Sequence, residues 1–277
     1  MENLNGNPNH FPNIIQNYMC LSEFRKPLFT KIIKSLNLSK GSKGLDAGCG
    51  IGQYTKMLAE SIGLDGNVIG LDISKDFINF ANKTTIQNVQ FEEGDINSLR
   101  YKDEYFDWIW SADTVWPGLK ELGCPTEDPI NIIKEFYRVL KSGGLLILLF
   151  WSSYKLLTGY PLLESRLNST SGATAPFTQG MNPKKHIMNA KYWLEKLGFK
   201  DVSAKSFIAD INSPLNENTR NALNYFFQML WGEAENQVSK EDWNEFKRLC
   251  NPTSESNVLN NRYYYGFYAY SIFRGFK

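Results

Sequence analysis

The sequence has few of the residues on which metal centres and disulfide frameworks depend. Its 277 residues include two histidines and four cysteines. The histidines are far apart and no two cysteines have the spacing of metal ligands, so the pattern predicts no metal site. With so few cysteines and no evident signal peptide, we expect reduced thiols and a cytoplasmic protein.

Long apolar runs and an excess of charge of one sign are also lacking. The longest apolar run, residues 145–151, is too short to span a bilayer, so no membrane span is predicted. Thirty basic and 29 acidic residues leave a net charge of +1, and no basic stretch with interleaved aromatic residues occurs. These features disfavour nucleic acid as a partner.

What the sequence does contain is a regular alternation of strand and helix patterns. Helical spacing begins at Pro27, a residue suited to the first turn of a helix. Ser74 and Thr126 can each cap a later helix, and Ser239 is spaced from Asp242 as in a capping box. One strand is predicted to end at residue 46, and further strands are predicted at residues 67–72, 89–92, 106–110, 145–151, 199–208 and 262–273.

This alternation predicts a parallel sheet that is covered on both faces. The predicted fold class is α/β: a doubly wound, mostly parallel seven-stranded sheet with the last strand antiparallel, helices on both faces and a helical cap or insertion. We predict an N-terminal arm over residues 1–26 and one domain over residues 27–277. Within that domain, the turn-rich residues 152–183 are expected to be lid-like, and residues 215–250 to be a helical insertion between the last two strands.

A glycine-rich turn follows the first predicted strand. Gly48, Gly50 and Gly52 occupy every second position, and Asp46 precedes them. Glycines let the backbone approach a ligand closely, and the N–H groups at the start of the next helix point towards the turn. A dinucleotide site would have its third glycine at position 53, where this chain has Gln53, and no Gly-Lys-Ser/Thr follows. The spacing therefore disfavours a nicotinamide oxidoreductase and excludes a triphosphate P-loop.

The turn is the first of several motifs that occur in order over residues 40–151. An acidic residue before Gly-x-Gly-x-Gly resembles the first motif of the class I S-adenosylmethionine-dependent methyltransferases. Further stretches resemble the later motifs of that family: residues 68–74, 94–96, 105–111 and 138–144. The resemblance implies that residues 27–277 are a methyltransferase domain, that the cofactor is S-adenosylmethionine and that the product is S-adenosylhomocysteine.

The resemblance also implies roles for residues at the ends of the strands. Asp72 is expected to accept hydrogen bonds from both ribose hydroxyls, and Ile73 to pack on the adenine face. Asp95 is expected to accept from the adenine amino group. The alternative for Asp72 is a helix-capping role, and for Asp95 a solvated loop position. The full set of predicted cofactor-binding residues is Asp46, Gly48, Gly50, Gly52, Asp72, Ile73, Asp95, Ile96 and Ser111.

Within that set, four further roles are predicted. Asp46 is expected to order the turn, although members of the family often use this position near the cofactor's amino group. The three glycines are expected to let the backbone approach the methionine and ribose portions. The backbone of Ile96 is expected to meet the adenine edge, and Ser111 to lie beneath the methionine tail.

Substrate-binding residues are harder to assign. Trp116 follows the fourth strand, where the family places substrate-facing residues, and its alternative role is in the core. Tyr18 and Arg25 precede the domain, where the family often covers its cofactor, and surface roles are their alternative. His186 and Asp113 are the candidates for a general base, and neither is assigned, so the catalytic residues stay unknown.

The predicted function is in-line methyl transfer from S-adenosylmethionine to a small molecule. The departing thioether is neutral, so alignment of the two reacting atoms and exclusion of water are the main requirements. A general base is needed only when the accepting atom starts out protonated. Two alternatives stay open: a non-catalytic S-adenosylmethionine-binding module and a protein methyltransferase. The acceptor and the oligomeric state are not indicated by the sequence.

Overall fold

The computed structural model describes residues 14–119, 123–178 and 180–277. One seven-stranded sheet with strand order β3-β2-β1-β4-β5-β7-β6 forms its centre. The strands are β1 (Lys43–Ala47), β2 (Asn67–Asp72), β3 (Val89–Glu93), β4 (Phe106–Ala112), β5 (Leu140–Lys155), β6 (Lys200–Asn212) and β7 (Tyr265–Phe276). Strands β1 to β5 are parallel, whereas β7 runs antiparallel to both β5 and β6. The predicted fold class, including the antiparallel last strand, is confirmed.

Helices cover both faces of the sheet. They are α1 (Ile14–Leu36), α2 (Gln53–Ile62), α3 (Lys75–Ala81), α4 (Pro129–Val139), α5 (Pro161–Leu167), α6 (Ser171–Thr174), α7 (Ala190–Lys196), α8 (Glu217–Trp231) and α9 (Lys240–Cys250). The apolar side chains of β5 belong to two clusters, one on each face of the sheet, because alternate side chains of a strand point to opposite faces. Leu145, Ile147 and Leu149 join the cluster with α1, α2, α8 and α9, whereas Leu146 and Leu148 join the cluster with α4 and α7.

Helix α1 begins thirteen residues before the predicted start at Pro27, so that residue lies inside the helix. Proline has no backbone N–H and removes one hydrogen bond from a helix interior. Burial of Leu21 before it and of Leu28 and Phe29 after it holds both halves against the core. Apolar packing thus carries the helix through Pro27, although a proline is typical of a helix start. The predicted boundary between arm and domain falls within α1, and residues 1–13 of that arm lie outside the described residues.

The capping predictions have mixed outcomes. Ser74 accepts a hydrogen bond from the Phe77 N–H and caps α3, and Ser239 accepts from the Asp242 N–H and caps α9. The prediction that Thr126 caps α4 is wrong. Asp128 holds that position and accepts from the Ile130 N–H, since Pro129 starts the helix there.

Residues 152–183 and 215–250 contribute α5, α8 and α9 to the apolar cluster that contains α1 and α2. The first stretch contains the end of β5 together with α5 and α6, and the second contains α8 and α9 between β6 and β7. Buried Glu164 on α5 accepts from the Leu156 N–H at 2.6 Å. Arg166 on α5 makes two hydrogen bonds to Asp242 on α9. The Arg166–Asp242 pair joins the two segments. No helix among the described residues has the length and apolar character needed to cross a membrane.

Candidate active site

The glycine turn lies at the carboxyl end of β1, which pairs with β2 on one side and β4 on the other. Strand order reverses here, and such a point in a doubly wound sheet forms a crevice for ligands. The N–H groups of Gly48 and Cys49 both donate to the carbonyl oxygen of Leu71, at 2.8 and 3.0 Å. The turn is therefore tied to β2, whose last residue is Asp72.

The three glycines of the turn have different surroundings. All three have positive φ, between +54° and +82°. A Cβ on Gly48 would lie 2.1 Å from the Thr114 hydroxyl, and a Cβ on Gly52 would lie 2.5 Å from the Phe91 ring. Among residues 14–119, 123–178 and 180–277, a Cβ on Gly50 would meet the Tyr18 ring at 3.7 Å, an ordinary contact. Gly48 and Gly52 are thus required by the protein's own packing, whereas a side chain at Gly50 would meet no such clash with the described residues.

Asp72 lies beside this space and already accepts two backbone hydrogen bonds. The Gly50 N–H donates to one carboxylate oxygen and the Ser74 N–H to the other, each at 2.8 Å. Burial raises the pKa of Asp72, and these backbone hydrogen bonds oppose that shift. Each oxygen keeps a second lone pair, so the carboxylate can still accept from two hydroxyl groups. The capping alternative accounts for the bond to Ser74, but not for the bond to Gly50.

The residues predicted to contact adenine continue from Asp72 along the same edge. Ile73 is an exposed apolar side chain, with 58% of its surface accessible. Asp95 follows β3, the neighbour of β2, and one of its oxygens accepts from the Asn97 N–H and side-chain amide. The side chain of Ile96 is buried in the core, which leaves its backbone as the part that faces the edge. An apolar surface flanked by carboxylates fits the chemistry of an adenosine.

Asp46 and Ser111 support the turn from the sheet side. Asp46 is buried and accepts from the Thr55 hydroxyl on α2 at 2.6 Å. Burial raises the pKa of Asp46 to about 7, with a smaller contribution from the Asp72 charge, against the Thr55 hydrogen bond. Ser111 is buried, and its hydroxyl donates to the Ala47 carbonyl at 2.9 Å. Each residue joins the end of β1 to a neighbouring element.

The raised pKa of Asp46 predicts that the free energy of unfolding depends on pH. A carboxyl group whose pKa is higher in the folded state stabilises the fold below its unfolded pKa of about 4, and this contribution is lost as the pH rises towards 7. Asp46→Asn keeps an acceptor for Thr55 and removes the charge. We expect this variant to exceed the wild type in free energy of unfolding by about 2–4 kcal/mol at pH 8. Denaturant unfolding at pH 8 and pH 4 measures this. The difference in free energy of unfolding between Asp46→Asn and the wild type should nearly vanish at pH 4. The same difference at both pH values would contradict the role assigned to the Asp46 charge.

The three residues predicted to bind substrate lie in different places. The Tyr18 ring lies over Gly50 and contacts the Phe77 ring, with 4.8 Å between centroids. Arg25 is partly buried on α1 and lies 3.6 Å from Asp113. Trp116 packs against Phe150 and against Phe177 of the lid-like segment, at 5.9 and 6.5 Å. Tyr18 and Arg25 are thus at the crevice. Trp116 packs instead against the apolar cluster that contains α4 and α7.

The two candidate bases also lie apart. His186 contacts the Phe177 ring and accepts from the Met188 N–H through Nδ1. Burial lowers the pKa of His186, so the ring is neutral at physiological pH. It lines a surface groove of about 370 Å³ with Met181, Asn182 and other residues of the lid-like segment. Asp113 lies at the end of β4, next to Thr114, which contacts Gly48.

Tyr270 and Tyr54 lie close to Asp113 and Arg25, and no sequence motif indicated either of them. Tyr270 is on β7, and its hydroxyl donates to Asp113, 157 positions earlier. Tyr54, on the first turn of α2, stacks on Phe29 with 4.1 Å between centroids. Both are aromatic residues in apolar stretches, where the pattern indicates core. In the part of the chain that the structure describes, no cluster of three or more metal-ligating side chains occurs.

Comparison with known proteins identifies the family. Residues 38–198 match the methyltransferase domain family. A demethylmenaquinone methyltransferase from Staphylococcus carnosus is 30% identical over 221 residues, which are 73% of this chain and 88% of that protein. A demethylmenaquinone methyltransferase from Staphylococcus epidermidis is 34% identical over 146 residues, or 50% of this chain and 57% of its own length. The crystal structure of the YcgJ protein from Bacillus subtilis, 16% identical, shares the fold with a TM-score of 0.50 over 90% of this chain and 97% of that chain.

The chain therefore belongs to the class I S-adenosylmethionine-dependent methyltransferases. It is a methyltransferase enzyme, and its cofactor is S-adenosylmethionine.

Proposed function

We propose that this enzyme transfers a methyl group by in-line displacement to a small-molecule acceptor and binds its cofactor at the glycine turn. The observation that carries the proposal is the Asp72 carboxylate at the end of β2, which accepts from the Gly50 N–H of the glycine turn and from the Ser74 N–H. A carboxylate with free lone pairs and a backbone without a Cβ suit a ribose and the methionine portion beside it.

Each predicted residue has a role in this proposal. Asp72 holds the ribose hydroxyls, Ile73 covers the adenine, and Asp95 with the Ile96 backbone meets the adenine edge. Asp46, Gly48, Gly52 and Ser111 shape the turn, and their hydrogen bonds and close contacts support that role. Tyr18 and Arg25, which lie at the crevice, are proposed to contact the acceptor, and the substrate contact of Trp116 stays a prediction.

The acceptor is proposed from the relatives. The S. carnosus protein acts on demethylmenaquinone, as its name states, and this chain spans 88% of it. Demethylmenaquinone is therefore the first acceptor to test. Two partly exposed aromatic side chains at the crevice, Tyr18 and Trp151, support an apolar aromatic acceptor. The balanced charge supports an acceptor other than nucleic acid, and a cytoplasmic location is part of the same proposal.

The protein's contribution to the reaction is chiefly orientation. Holding the acceptor in line with the methyl carbon can supply roughly 7–11 kcal/mol in favourable intramolecular models. Segments 152–183 and 215–250 are proposed to keep water from the acceptor, and the arm over residues 1–26 to cover the cofactor. An acceptor atom that starts out protonated, as in a hydroquinone, must give up its proton to a base or to water when it gains the methyl group, and no residue is assigned to that role.

Turnover tests this proposal. Purified protein with S-adenosylmethionine and reduced demethylmenaquinone is expected to form S-adenosylhomocysteine and a methylated product, both measured by mass spectrometry. Asp72→Ala is the negative control. Product with a peptide library but not with small molecules would favour a protein methyltransferase. Binding without turnover on any acceptor would favour the non-catalytic alternative and contradict the proposal.

A further inference from the structure

One carboxylate at the mouth of the crevice joins three elements. Asp113 directly follows β4 and has a left-handed backbone, with φ of +50°. One of its oxygens accepts from the Trp151 N–H on β5 at 2.8 Å, and the other accepts from the Tyr270 hydroxyl on β7. The second oxygen also lies 3.6 Å from a terminal nitrogen of Arg25 on α1. A left-handed backbone is unfavourable for a residue other than glycine, and this set of contacts holds Asp113 in place.

Arg25 depends on that carboxylate for its counter-charge. Its side chain is 16% exposed. Its guanidinium carbon lies between 5.6 and 5.7 Å from the ring centroids of Trp151, Phe226 and Tyr270. Among the described residues, Asp113 is the acidic side chain with which it forms a salt bridge, and its Nε is buried without a hydrogen-bond partner. A buried guanidinium whose counter-charge is removed is strongly destabilised.

The position of Arg25 on α1 connects it to the glycine turn. Tyr18 lies seven residues before Arg25, which is two helical turns, so the two side chains share one face of α1. Tyr18 contacts the open side of the turn at Gly50. Asp113 precedes Thr114, which fills the space beside Gly48. The Arg25–Asp113 pair therefore joins the helix over the turn to the strand end beneath it.

We propose that Asp113 is a positioning residue that acts through Arg25 to hold the first half of α1, and with it Tyr18, over the cofactor. The proposal rests on the proposed cofactor site and adds a function for a residue outside the motifs. Its charge, and not only its hydrogen bonds, is what the role requires. Asp113→Asn removes that charge and keeps an acceptor for the Trp151 N–H.

The test is a double-mutant cycle on affinity for S-adenosylhomocysteine, measured by calorimetry. We expect Asp113→Asn and Arg25→Gln each to weaken binding at least about tenfold. The double variant should lie within about twofold of Arg25→Gln, because Asp113 has no charge to balance once Arg25 is gone. Asp107→Asn is the matched control: Asp107 is an ion-paired carboxylate at the other end of β4, bonded to Lys141 and to the Lys43 N–H, and its loss should leave affinity within about twofold.

Hydrogen exchange provides the second measurement. Amides of residues 14–26 should exchange faster in Asp113→Asn than in Asp107→Asn. Unchanged affinity in Asp113→Asn, or effects that multiply in the double variant, would overturn the inference. If Asp113→Asn does not fold, Arg25→Gln decides: unchanged affinity and unchanged exchange in α1 would overturn it. Asp72→Ala is the reference for the site. If Asp72→Ala binds normally, the proposed cofactor site fails, whereas weak binding in Asp72→Ala with normal binding in Asp113→Asn contradicts the Asp113 role alone.

Discussion

Asp72→Ala is expected to weaken binding of S-adenosylhomocysteine at least about 100-fold. Two hydrogen bonds from ribose hydroxyls to a carboxylate contribute about 1.5–3 kcal/mol each, and a loss of about 2.7 kcal/mol already gives that factor. The variant also removes the acceptor that the Gly50 N–H now uses, so the turn itself loses a support. Calorimetric titration of the purified variant measures the loss directly.

Asp76→Ala is a suitable control for this result. Asp76 lies four residues further on, on the first turn of α3, and its side chain is exposed. Its removal should change the affinity less than about twofold, because the charge is in solvent and outside the crevice. Equal affinities in Asp72→Ala and the wild type would remove Asp72 from the ribose site.

Gly50→Ala is expected to abolish measurable cofactor binding and leave a folded protein. The added methyl group meets only the Tyr18 ring at 3.7 Å, an ordinary contact, and the positive φ of +54° costs about 1–2 kcal/mol. The same methyl group lies on the Tyr18 side of the turn, where the methionine portion of the cofactor is proposed to lie. We expect affinity to fall by more than about 100-fold, while the melting temperature falls by only a few degrees.

Gly52→Ala is the matched comparison. It should act mainly on the stability of the protein, whereas Gly50→Ala should act mainly on its affinity for the cofactor. There the methyl group would lie 2.5 Å from the Phe91 ring and 3.1 Å from Ala81, so the core must shift. A loss of about 2–4 kcal/mol in the free energy of unfolding is expected, with or without ligand. If Gly50→Ala retains wild-type affinity, the cofactor does not approach the turn on that side.

The sequence predicted the strands and the turn because their signals are local. Gly48, Gly50 and Gly52 mark a strand-to-helix turn within five residues, and Asp72 ends the next strand of an alternating pattern. These residues do lie along one edge of the sheet, since parallel strands end on the same side. The structure adds which glycine faces the crevice, and that depends on Tyr18, Thr114 and Phe91 from distant parts of the chain.

The first half of α1 shows why other parts were not predicted. Pro27 is typical of a helix start, and no local feature indicates that apolar burial carries the helix through it. The contact of Tyr270 with Asp113 joins the last strand to the end of β4. The two residues are 157 positions apart in the chain, and no sequence motif links them. Long-range pairings of this kind are fixed by the packing of the whole sheet, so neither spacing nor composition reveals them.

Aromatic side chains of β5, α8 and β7 pack with one another. The Trp151 ring stacks on Tyr268 at 5.0 Å and lies 4.5 Å from Phe226, and Phe227 stacks on Trp231 at 5.8 Å. Phe226, Phe227, Trp231 and Tyr268 are almost fully buried, so they are core residues. Trp151 is partly exposed beside Arg25, and it is the ring of this group for which contact with the acceptor is proposed.

The most direct measurement is a crystal structure of the protein with S-adenosylhomocysteine bound. The account predicts both ribose hydroxyls within hydrogen-bond distance of the Asp72 carboxylate, the adenine against Ile73, and the methionine portion beside Gly50 beneath Tyr18. A cofactor bound elsewhere on the chain, or bound at the turn with its ribose away from Asp72, would contradict it.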